Sequence, residues 1–538
     1  MDKDLGALQE VRDKLKAARD ARLVMEKASQ QDADRWAYAA VQAGRREASR
    51  LARMAVEETD IGVVAGKTLK NIFATEFTWE RIKDMKTAGI IRRDDKAGIV
   101  EVAHPAGLVA AVIPTTNPTS TALFKCIIAL KARCSIVVSP HPRAVKCIAE
   151  SCRVVYEAAR AAGAPEGCIG WLENVTIEST NALMKHRWTS LILATGGPGL
   201  VEAAYSSGKP AIGVGAGNVP AYIHESADVP HAVRAIVLGQ VFDNGTICSS
   251  EQSVVLDRSI ERQALDEFRR RGAHICTAEE IKKLEPVVKK GDRQNPDIVG
   301  KYPRVIARMA GFSVPDDTTV LLCPYEKVGN DAPLSVEKLS PVLTVYTVGG
   351  FKEALQRCSE ILHFGGMGHS CSIHAEDEKA ILEFGAAMPA CRIMVNSPTT
   401  QGAIGYTTNL FPSMTLGCGT PGGNIYSDNI GPQHLINVKR IAWVNEAMLD
   451  EDERLEHELR AQLGDTRLPW NSGGSRTGGY APAPSPERKL PEPVLASAPR
   501  SNPVFAGGAG GTESPHAAFT ASPLTPADIE AIISRHKK

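Results

Sequence analysis

A cysteine within a run of small and turn-forming residues is the strongest candidate for chemistry in this sequence. Cys248 follows Asn244-Gly245, a strong turn signal, and an apolar helix-like stretch over residues 231–240. A turn leading into a new helix would place the sulfur near free backbone N–H groups, which favour the thiolate and can stabilise an oxyanion. The pattern predicts a nucleophilic thiol. The alternative is that Cys248 is one more small apolar residue of the core.

A glycine turn between a strand and a helix forms a second candidate site. Residues 191–194 are apolar, Thr195-Gly196-Gly197 follows, and an apolar helical segment extends to Tyr205. Glycines at such a junction let a pyrophosphate approach the backbone at the helix N-terminus, where the helix dipole favours negative charge. The alternative is an ordinary tight strand-to-helix connection.

The composition excludes several classes of protein. The chain has 538 residues, 43% of them hydrophobic, and 62 basic residues balance 62 acidic ones. The balance gives no net attraction to nucleic acid, and no apolar run reaches the roughly 18 residues of a membrane span. Twelve cysteines are scattered without zinc-type spacing, which predicts reduced thiols in the cytoplasm and no metal site. The charged N-terminus predicts that there is no signal peptide.

The order of hydrophobic patterns indicates an α/β fold with more than one domain. Residues 1–90 are predicted to form successive helices. From residue 99 onward, short β-branched runs alternate with helix-length segments, which is typical of a parallel sheet covered on both faces. A second α/β region is predicted over residues 231–430. The regular fold is expected to end near residues 441–444, followed by a charged helix to Leu463.

The C-terminal part of the chain differs in composition. Residues 464–522 are rich in Pro, Ala, Gly and Ser, so they are predicted to be a disordered linker. In residues 523–538, Thr525 is a good N-cap, Pro526 suits the first helical position, and basic residues fill the last turn. This stretch is predicted to be an amphipathic docking helix, and the alternative is a frayed terminus. Its apolar stripe would consist of Ile529, Ile532 and Ile533.

The order of several motifs along the chain is similar to that in one enzyme family. The motifs are Ile113-Pro114-Thr115-Thr116-Asn117-Pro118, Ser139-Pro140-His141-Pro142-Arg143, Thr195-Gly196-Gly197, the glycine-rich residues 213–220, Cys248, and Glu337-Lys338-Leu339-Ser340-Pro341. Over residues 5–450 the chain resembles the CoA-acylating aldehyde dehydrogenases of the aldehyde dehydrogenase superfamily. The strongest likeness is to the propionaldehyde and acetaldehyde dehydrogenases of bacterial microcompartments.

The resemblance implies a domain organisation. Residues 1–230 would form a Rossmann-type NAD-binding domain, which includes part of a small β oligomerisation flap near residues 95–107. Residues 231–430 would form the α/β catalytic domain. Residues 431–463 would return to the cofactor domain and complete the flap over residues 432–445. The resemblance also implies a homo-oligomer, either a dimer or a tetramer.

Roles for the residues around the thiol also follow from the resemblance. Cys248 would be the nucleophile, and Asn117 would hold the oxyanion together with the backbone N–H of Cys248. An alignment shifted by one residue puts Thr116 at that position, and Asn117 would then be an ordinary turn residue. The resemblance does not identify the residue that deprotonates the CoA thiol; His369 is the best candidate, and the alternative is that it is a structural hydrogen-bond partner. The pocket for a short aliphatic aldehyde would be shaped by Thr246, Ile247 and Ser249.

Further residues would bind NAD and coenzyme A, the latter as the acyl acceptor. Glu337 would hold the nicotinamide ribose through its carboxylate, the alternative being that it is a solvated surface charge. Thr195, Gly196 and Gly197 would lie along the pyrophosphate, and Ser139, His141 and Pro142 would line the adenosine end. Thr115 and Thr116 would also bind the cofactor.

Two departures from the hydrolytic members of the superfamily bear on the reaction. Those enzymes carry a lysine where this chain has Ser139, so the contacts to the adenosine ribose must differ. They also carry a glutamate, in a Glu-Leu-Gly-Gly motif, where this chain has Gly213. That glutamate activates water in the hydrolytic members. The thioester on Cys248 is therefore expected to lack its usual route to hydrolysis and to pass to CoA.

The predicted function is the NAD-dependent oxidation of a short aliphatic aldehyde to its acyl-CoA, with propionaldehyde favoured and acetaldehyde next. The protein would work in the bacterial cytoplasm inside a microcompartment, with residues 524–538 binding a shell protein. Two alternatives stay open: a phosphorylating semialdehyde dehydrogenase that uses phosphate as acceptor, and a non-catalytic shell or scaffold adaptor. Neither nucleic acid nor a membrane is an expected partner.

Overall fold

The computed structural model describes residues 3–291 and 293–464. The linker predicted over residues 464–522, apart from Gly464, and the docking helix predicted over residues 523–538 lie outside the described residues. Of the described residues, those as far as Ile441 belong to one compact unit, and residues 442–464 belong to a second. Within residues 3–291 and 293–464, no helix combines the length and the apolar character that crossing a membrane requires.

The chain begins with the predicted helical layer. Ser29 caps the second helix, because its hydroxyl accepts from the backbone N–H of Asp32 (3.1 Å) and the Asp32 carboxylate accepts from the N–H of Ser29. Ala33, Ala37 and Ala40 of that helix are buried at helical spacing, so one face is directed into the core. The elements are α1 (Lys3–Met25), α2 (Gln30–Arg46), α3 (Ala48–Thr59), α4 (Val64–Ile72), a π-helical turn (Phe73–Phe77) and α5 (Thr78–Ile82), followed by two antiparallel strands, β1 (Gly89–Asp94) and β2 (Ile99–Pro105).

A parallel sheet, here called the first sheet, comes next. Its strands and helices are β3 (Leu108–Val112), α6 (Pro118–Lys131), β4 (Ser135–Ser139), α7 (Val145–Ala161), β5 (Ile169–Trp171), α8 (Ile177–Lys185), β6 (Leu191–Thr195), α9 (Pro198–Tyr205) and β7 (Ala211–Val214). The strand order is β5-β4-β3-β6-β7, so the chain starts in the middle of the sheet and reverses direction beside β3. This is the order of a Rossmann-type fold, in which ligands bind outside the carboxyl ends of the strands at that switch point.

The second sheet is also parallel, in the order β10-β13-β14-β9-β8-β15-β16. Its five central strands are almost entirely buried, which explains their apolar runs, whereas the edge strands β10 and β16 are only partly buried. The chain crosses from the first sheet to the second between β7 and β8, ahead of residue 230. Its elements are β8 (Val219–Ile223), α10 (Val229–Val241), β9 (Glu251–Asp257), α11 (Glu261–Arg270), β10 (Ala273–Ile275), α12 (Ala278–Val288), the short pair β11 (Lys289–Lys290) and β12 (Arg293–Gln294), α13 (Pro303–Met309), β13 (Val320–Pro324), β14 (Val342–Val348), α14 (Phe351–Phe364), β15 (Gly368–His374), α15 (Glu378–Ala387), β16 (Ala390–Val395) and α16 (Thr399–Ala403).

A small sheet with the strand order β1-β2-β17 completes the first compact unit, where β17 is Ile436–Ala442. It draws on both ranges predicted for the flap, and Arg440 of β17 pairs with Glu101 of β2 (3.1 Å). Its role in oligomerisation stays a prediction. The second unit contains the predicted charged helix, α17 (Glu446–Leu463), in which Arg454 pairs with two glutamates of the same helix.

Candidate active site

Loops from the carboxyl edge of the first sheet and the amino edge of the second sheet meet around Cys248. The first sheet contributes the loop between β3 and α6, which contains Asn117, and the second contributes the residues just before β9. The Lys70 ammonium joins the two, because it donates to Asn117 Oδ1 (2.7 Å) and to Thr246 Oγ1 (2.9 Å), two residues before the thiol. Each sheet therefore supplies part of one site.

The turn predicted from Asn244-Gly245 is present, but the helix expected after Cys248 is absent. Asp243, Asn244 and Gly245 have φ angles of 50°, 52° and 72°, so three consecutive residues adopt the left-handed conformation. The chain then enters β9 at Glu251. The prediction of a helix is wrong because residues 251–257 contain adjacent valines and are buried throughout, which suits a central parallel strand. No following helix stabilises the thiolate.

Gly217 is the point at which three candidate residues meet. A Cβ atom at this position would lie 2.1 Å from the carbonyl oxygen of Cys248 and 3.2 Å from Cγ of His369. The backbone N–H of Gly217 donates to Glu337 Oε1 (3.0 Å). Only a residue without a side chain allows this approach, so the glycine-rich motif over residues 213–220 brings the Cys248 backbone, the His369 imidazole and the Glu337 carboxyl group together.

The surroundings of Cys248 keep its thiol protonated in the free protein. The residue is partly exposed. Desolvation of the sulfur and the negative charge of Glu337 raise the pKa of Cys248 to about 12, and the nearby guanidinium of Arg392 opposes this shift. At neutral pH the thiolate is therefore a very small fraction of the population.

The loop after β3 is held from behind by two buried lysines of α4. Lys67 donates to the backbone carbonyl of Thr116 (2.9 Å), and Lys70 donates to the side chain of Asn117. The Asn117 amide N–H donates to Thr116 Oγ1 (3.2 Å). The two alternatives for the oxyanion donor, Thr116 and Asn117, thus form one hydrogen-bonded pair, and the adjacent Thr115 is partly exposed like them.

His369 lies at the start of β15 and is fully buried. Its Nδ1 is 3.1 Å from Ser370 Oγ, and among the described residues its Nε2 has no hydrogen-bond partner. Burial and the charge of Arg392 lower the pKa of His369 to about 3, so the imidazole is neutral at physiological pH. When the proton of the neutral ring is on Nδ1, the free Nε2 beside the Cys248 backbone can accept a hydrogen bond from a ligand.

Glu337 precedes β14 and is not a solvated charge. Burial raises its pKa to about 8, although the N–H of Gly217 and the charge of Lys338 oppose the shift. The carboxyl group is therefore mostly protonated at neutral pH in the free protein. It can donate as well as accept hydrogen bonds, which suits contact with a hydroxyl group.

The glycine turn after β6 is open on the side where a ligand would approach. Thr195 is the last residue of β6, and its buried Oγ1 has no partner within the described residues. Gly197 is the N-cap of α9, and a Cβ there would meet nothing within 4 Å. A Cβ at Gly196 would instead lie 2.6 Å from Leu200. The first glycine thus permits close strand-to-helix packing, and the second leaves the helix N-terminus accessible.

The predicted adenosine-lining residues lie at the end of β4 and just after it, and β3 separates β4 from β6 in the strand order. Ser139 is buried and its hydroxyl lies 2.8 Å from that of Thr180. His141 Nδ1 accepts from the backbone N–H of Arg143 (3.1 Å), and Pro142 is exposed. The three residues lie at the carboxyl edge of the first sheet, and their contact with a nucleotide stays a prediction.

The residues predicted to shape the aldehyde pocket are all buried. Thr246 hydrogen-bonds with Asp243 and Lys70, and Ser249 donates to the carbonyl of Thr400 (3.1 Å). Ile247 packs into the hydrophobic core. Their position fixes the loop that carries Cys248, and their role in substrate selection stays a prediction.

Position 213 leaves no room for a catalytic glutamate. Gly213 lies in β7, where a Cβ would be 2.6 Å from Val201 and 2.9 Å from the ring of Tyr205. A longer side chain would have to displace α9. Position 213 therefore lacks a glutamate, and the packing of Val201 and Tyr205 against it leaves no space for one.

Several buried charged residues around the site were not predicted from the sequence. They are Lys67, Lys70, Asp243, Glu251 and Arg392. Lysines and acids are read as surface residues by default, because an unpaired charge is rarely buried. The available signal was local: two lysines three residues apart in a short apolar helix, and an aspartate preceding a turn that leads to a cysteine.

Comparison with known proteins agrees with the fold and the motifs. The aldehyde dehydrogenase family profile matches residues 4–302. The bifunctional aldehyde-alcohol dehydrogenase of Escherichia coli K12 is 45% identical over 404 residues, which are 74% of this chain and 45% of that protein. The chain thus spans about half the length of the bifunctional relatives it matches. The succinate-semialdehyde dehydrogenase (acetylating) of Clostridium kluyveri is 35% identical, over 81% of this chain and 96% of that protein.

Solved structures of similar length also match. An acetylating aldehyde dehydrogenase from Geobacillus thermoglucosidasius has a TM-score of 0.82 and 51% identity, covering 82% of this chain and 98% of that one. A propionaldehyde dehydrogenase from a fucose utilisation microcompartment of Clostridium phytofermentans has a TM-score of 0.73 and 30% identity, over 81% and 97% of the two chains. The Rhodopseudomonas palustris propionaldehyde dehydrogenase, solved with bound CoA and an acylated cysteine, has a TM-score of 0.73 and 26% identity, with coverage of 81% and 97%.

These matches define the class: the chain belongs to the aldehyde dehydrogenase family. Within that family, it is similar to members whose names describe them as acylating or acetylating. This agrees with the resemblance found from the motifs.

Proposed function

We propose that this protein is an NAD-dependent, CoA-acylating aldehyde dehydrogenase with Cys248 as its nucleophile. The observation that carries the proposal is the meeting of Cys248, His369 and Glu337 at Gly217, together with packing that excludes a carboxylate base at position 213. The three residues at Gly217 suit thioester chemistry. The packing at position 213 removes the usual route by which water would release the acid.

The residues at the carboxyl edge of the first sheet fit a dinucleotide. The partnerless Oγ1 of Thr195, the accessible N-terminus of α9 at Gly197 and the switch point beside β3 suit a pyrophosphate, and the protonated carboxyl of Glu337 suits a ribose hydroxyl. When bound, NAD would accept a hydride from the adduct on Cys248. Thr115, Thr116, Gly196, Ser139, His141 and Pro142 are proposed to complete the nucleotide contacts.

In the first half-reaction, the Cys248 sulfur attacks the aldehyde carbonyl and forms a thiohemiacetal. Asn117 and the backbone N–H of Cys248 would donate to the oxygen on which negative charge develops. Oxidation of this adduct leaves a thioester on Cys248. Because Glu337 is mostly protonated and position 213 carries no side chain, neither provides a strong base for water.

In the second half-reaction, the CoA thiol would take the acyl group from Cys248. Exchange of one thioester for another needs less base assistance than hydrolysis, because a thiol ionises far more readily than water. His369 would accept a hydrogen bond from the thiol through its free Nε2. With a pKa of about 3 it orients the thiol rather than storing the proton.

The substrate and the setting are further parts of the proposal. Propionaldehyde is favoured and acetaldehyde comes next, with Thr246, Ile247 and Ser249 as the neighbours that limit chain length. A homo-oligomer, dimer or tetramer, would form through the flap. The protein would work in the bacterial cytoplasm within a microcompartment, with residues 524–538 contacting a shell protein. The support is the helix pattern of that segment and the likeness to a microcompartment enzyme.

A product assay tests the proposal. Protein, propionaldehyde and NAD are mixed with CoA, with phosphate or with neither, and reduced cofactor, acyl-CoA and free acid are measured. Acyl-CoA should form only with CoA, and Cys248→Ala should lower its rate by at least about 10³-fold, whereas Cys391→Ala, a matched change at another partly exposed thiol, should not. Free acid as the main product, or phosphate dependence, would contradict the proposal.

A further inference from the structure

A cluster of buried charges lies directly behind the loop between β3 and α6. Lys67 and Lys70 of α4 are 2% and 1% exposed, and Asp243 is 1% exposed. Both lysines donate to Asp243 Oδ2, Lys67 at 3.1 Å and Lys70 at a shorter distance. Asp243 is more than 170 positions from either lysine in sequence, so the cluster exists only in the folded protein.

The fold is shaped around the Asp243 carboxylate. Its Oδ1 accepts from the backbone N–H of Val63 (2.7 Å), and its Oδ2 also accepts from Thr246 Oγ1 (2.7 Å). A Cβ at Gly62 would lie 2.2 Å from Oδ1, and a Cβ at Gly66 would lie 2.7 Å from the Cβ of Asp243. Two glycines therefore admit the carboxylate, and its own left-handed backbone directs it there.

The hydrogen bonds of Lys70 are fully used. Its three N–H donors go to Asn117 Oδ1, Asp243 Oδ2 and Thr246 Oγ1. Burying two ammonium groups beside one carboxylate is unfavourable compared with apolar packing of the same volume. Stability alone therefore does not account for the cluster. The cluster also contacts the loop that contains Thr116 and Asn117, through Lys67 and Lys70.

The contact with Lys70 determines how the Asn117 amide is oriented. An ammonium group can only donate, so the amide oxygen must face Lys70 and the amide nitrogen must point away from it. One N–H of that nitrogen goes to Thr116 Oγ1. Among the described residues the other has no acceptor, and Asn117 is partly exposed, so this N–H is available to a ligand. A cation on the amide oxygen also polarises the N–H groups, which strengthens the bonds they donate.

We propose that Lys70 is a positioning residue that fixes and polarises the Asn117 amide as the oxyanion donor, with Asp243 holding Lys70 in place. The inference rests on the proposed function only in taking Asn117 as the donor. Lys67 serves the same loop differently, because it holds the Thr116 backbone and does not contact the Asn117 side chain.

A reaction that needs the thiol and the oxyanion donor, but neither NAD nor CoA, separates the two proposals. Acylation of Cys248 by p-nitrophenyl acetate is such a reaction, and iodoacetamide alkylates the same sulfur without forming an oxyanion. Because the Lys70 charge also acts on the Cys248 thiolate, the readout is the ratio of the two rates. Lys70→Met should lower the acylation rate relative to the alkylation rate by about 10-fold to 100-fold, less than the roughly 10²-fold to 10³-fold for outright loss of an oxyanion donor. Equal losses in both reactions would overturn the proposal.

A double-mutant cycle then assigns the effect to Asn117. Lys70→Met should add little to Asn117→Ala, so the double variant should acylate within about 2-fold of Asn117→Ala alone. Lys67→Met is the matched control, being a change at the same depth on the same helix, and its loss should be the same with or without Asn117. Independent losses for Lys70 and Asn117, or an Asn117→Ala variant with wild-type acylation, would overturn the inference. Normal acylation in wild type without acyl-CoA from aldehyde would overturn only the proposed function.

Chemical rescue covers the case in which Lys70→Met folds poorly. Lys70→Ala is assayed with added ethylammonium, which restores the missing cation. Saturable recovery of acylation in Lys70→Ala, but not in Lys70→Ala with Asn117→Ala, supports the proposal. Recovery of both, or of neither, overturns it.

Discussion

At the scale of single residues, the site combines a nucleophile that is poorly ionised with partners that hold it in place. Desolvation keeps the pKa of the Cys248 thiol high, the Glu337 carboxyl raises it further once ionised, and the charge of Arg392 opposes the shift. The resting thiol is therefore protected from oxidation and alkylation, because both reactions need the thiolate. The free protein should therefore react only slowly at this thiol, and fast turnover requires that substrate and cofactor change these surroundings.

Alkylation kinetics test this state of Cys248. Because its pKa is raised to about 12, the thiolate fraction of the free protein should increase about tenfold per pH unit across the neutral range. The rate of inactivation by iodoacetamide should therefore keep rising from pH 7 to pH 10 without levelling off. A plateau near pH 8.5, the behaviour of an ordinary exposed cysteine, would contradict the prediction.

Two glycines of one motif provide a matched pair of substitutions. Gly217→Ala places a Cβ 2.1 Å from the Cys248 carbonyl, whereas Gly215→Ala meets nothing within 4 Å. Gly217→Ala should lower the free energy of unfolding by about 1–3 kcal/mol and slow acyl-CoA formation by about 10²-fold, because it displaces the thiol. Gly215→Ala should leave both nearly unchanged, as measured by urea unfolding and steady-state rates. Equal effects of the two changes would show that packing at Gly217 is not what positions Cys248.

At the scale of elements, the turn over residues 243–245 converts a buried ion cluster into a fixed position for the thiol. Its three left-handed residues turn the Asp243 side chain toward α4 while the chain continues to Cys248. Asp and Asn tolerate this conformation better than other non-glycine residues. The element is thus specified by its residue types as well as by its ion pairs.

Replacing Asp243 with Asn isolates the charge, since Asn keeps the shape and tolerates the backbone. Lys67 and Lys70 would lose their counter-ion in a buried site, so the free energy of unfolding should fall by about 3–5 kcal/mol. Asp60→Asn is the control, because Asp60 is also left-handed and also pairs with a lysine, Lys301, but its side chain is 88% exposed. Its effect should stay below about 1 kcal/mol, as urea unfolding at pH 7 would measure.

The same variant predicts a change in acid stability. Burial opposes ionisation of Asp243, but the charges of Lys67 and Lys70 outweigh it and keep its pKa below the usual value. A carboxylate with a lowered pKa stabilises the fold above its unfolded pKa, and this contribution is lost as the pH falls through the folded value. Below pH 4 the difference in unfolding free energy between wild type and Asp243→Asn should therefore shrink. A difference that is constant from pH 7 to pH 3 would contradict the assignment.

The elements also show what the sequence could and could not predict. The strands with adjacent β-branched residues and the turn at Asn244-Gly245 were predicted correctly, because local chemistry decides them. The prediction of a helix after Cys248 is wrong. Residues 251–257 form the buried strand β9, and their position in the middle of a sheet cannot be inferred from the local sequence. Lys70 was missed because its partners, Asn117 and Asp243, are distant in sequence. Local patterns thus predicted the elements and motifs, while the buried polar contacts required the tertiary structure.

At the scale of the whole molecule, one site is built from two parallel sheets, and each sheet contributes a different end of its strands. The first sheet contributes its carboxyl edge, the usual location for ligands, and the second contributes its amino edge. The described chain then passes through β17 into the charged helix α17. Residues 465–538 therefore follow a chain segment that already contains every proposed catalytic group.

Deletion of residues 465–538 tests the role proposed for the tail. Turnover of aldehyde to acyl-CoA should stay within about 2-fold of wild type, since no proposed site residue is removed. Co-purification with microcompartment shells should be lost. As a control, a fluorescent protein that carries residues 523–538 should itself be recruited to shells. A truncated protein that still co-purifies with shells would contradict the role of the tail.

The division of the site between two sheets has a mechanical consequence. The sulfur and the amide that would act together are carried by separate β-layers, and the chain crosses between these layers once before the thiol, in the stretch from β7 to β8. A small molecule that bound between the two sheets and separated them by about 1 Å would slow catalysis by about 10²-fold without contacting a reacting atom. An inhibitor of this protein therefore need not resemble an aldehyde or a nucleotide.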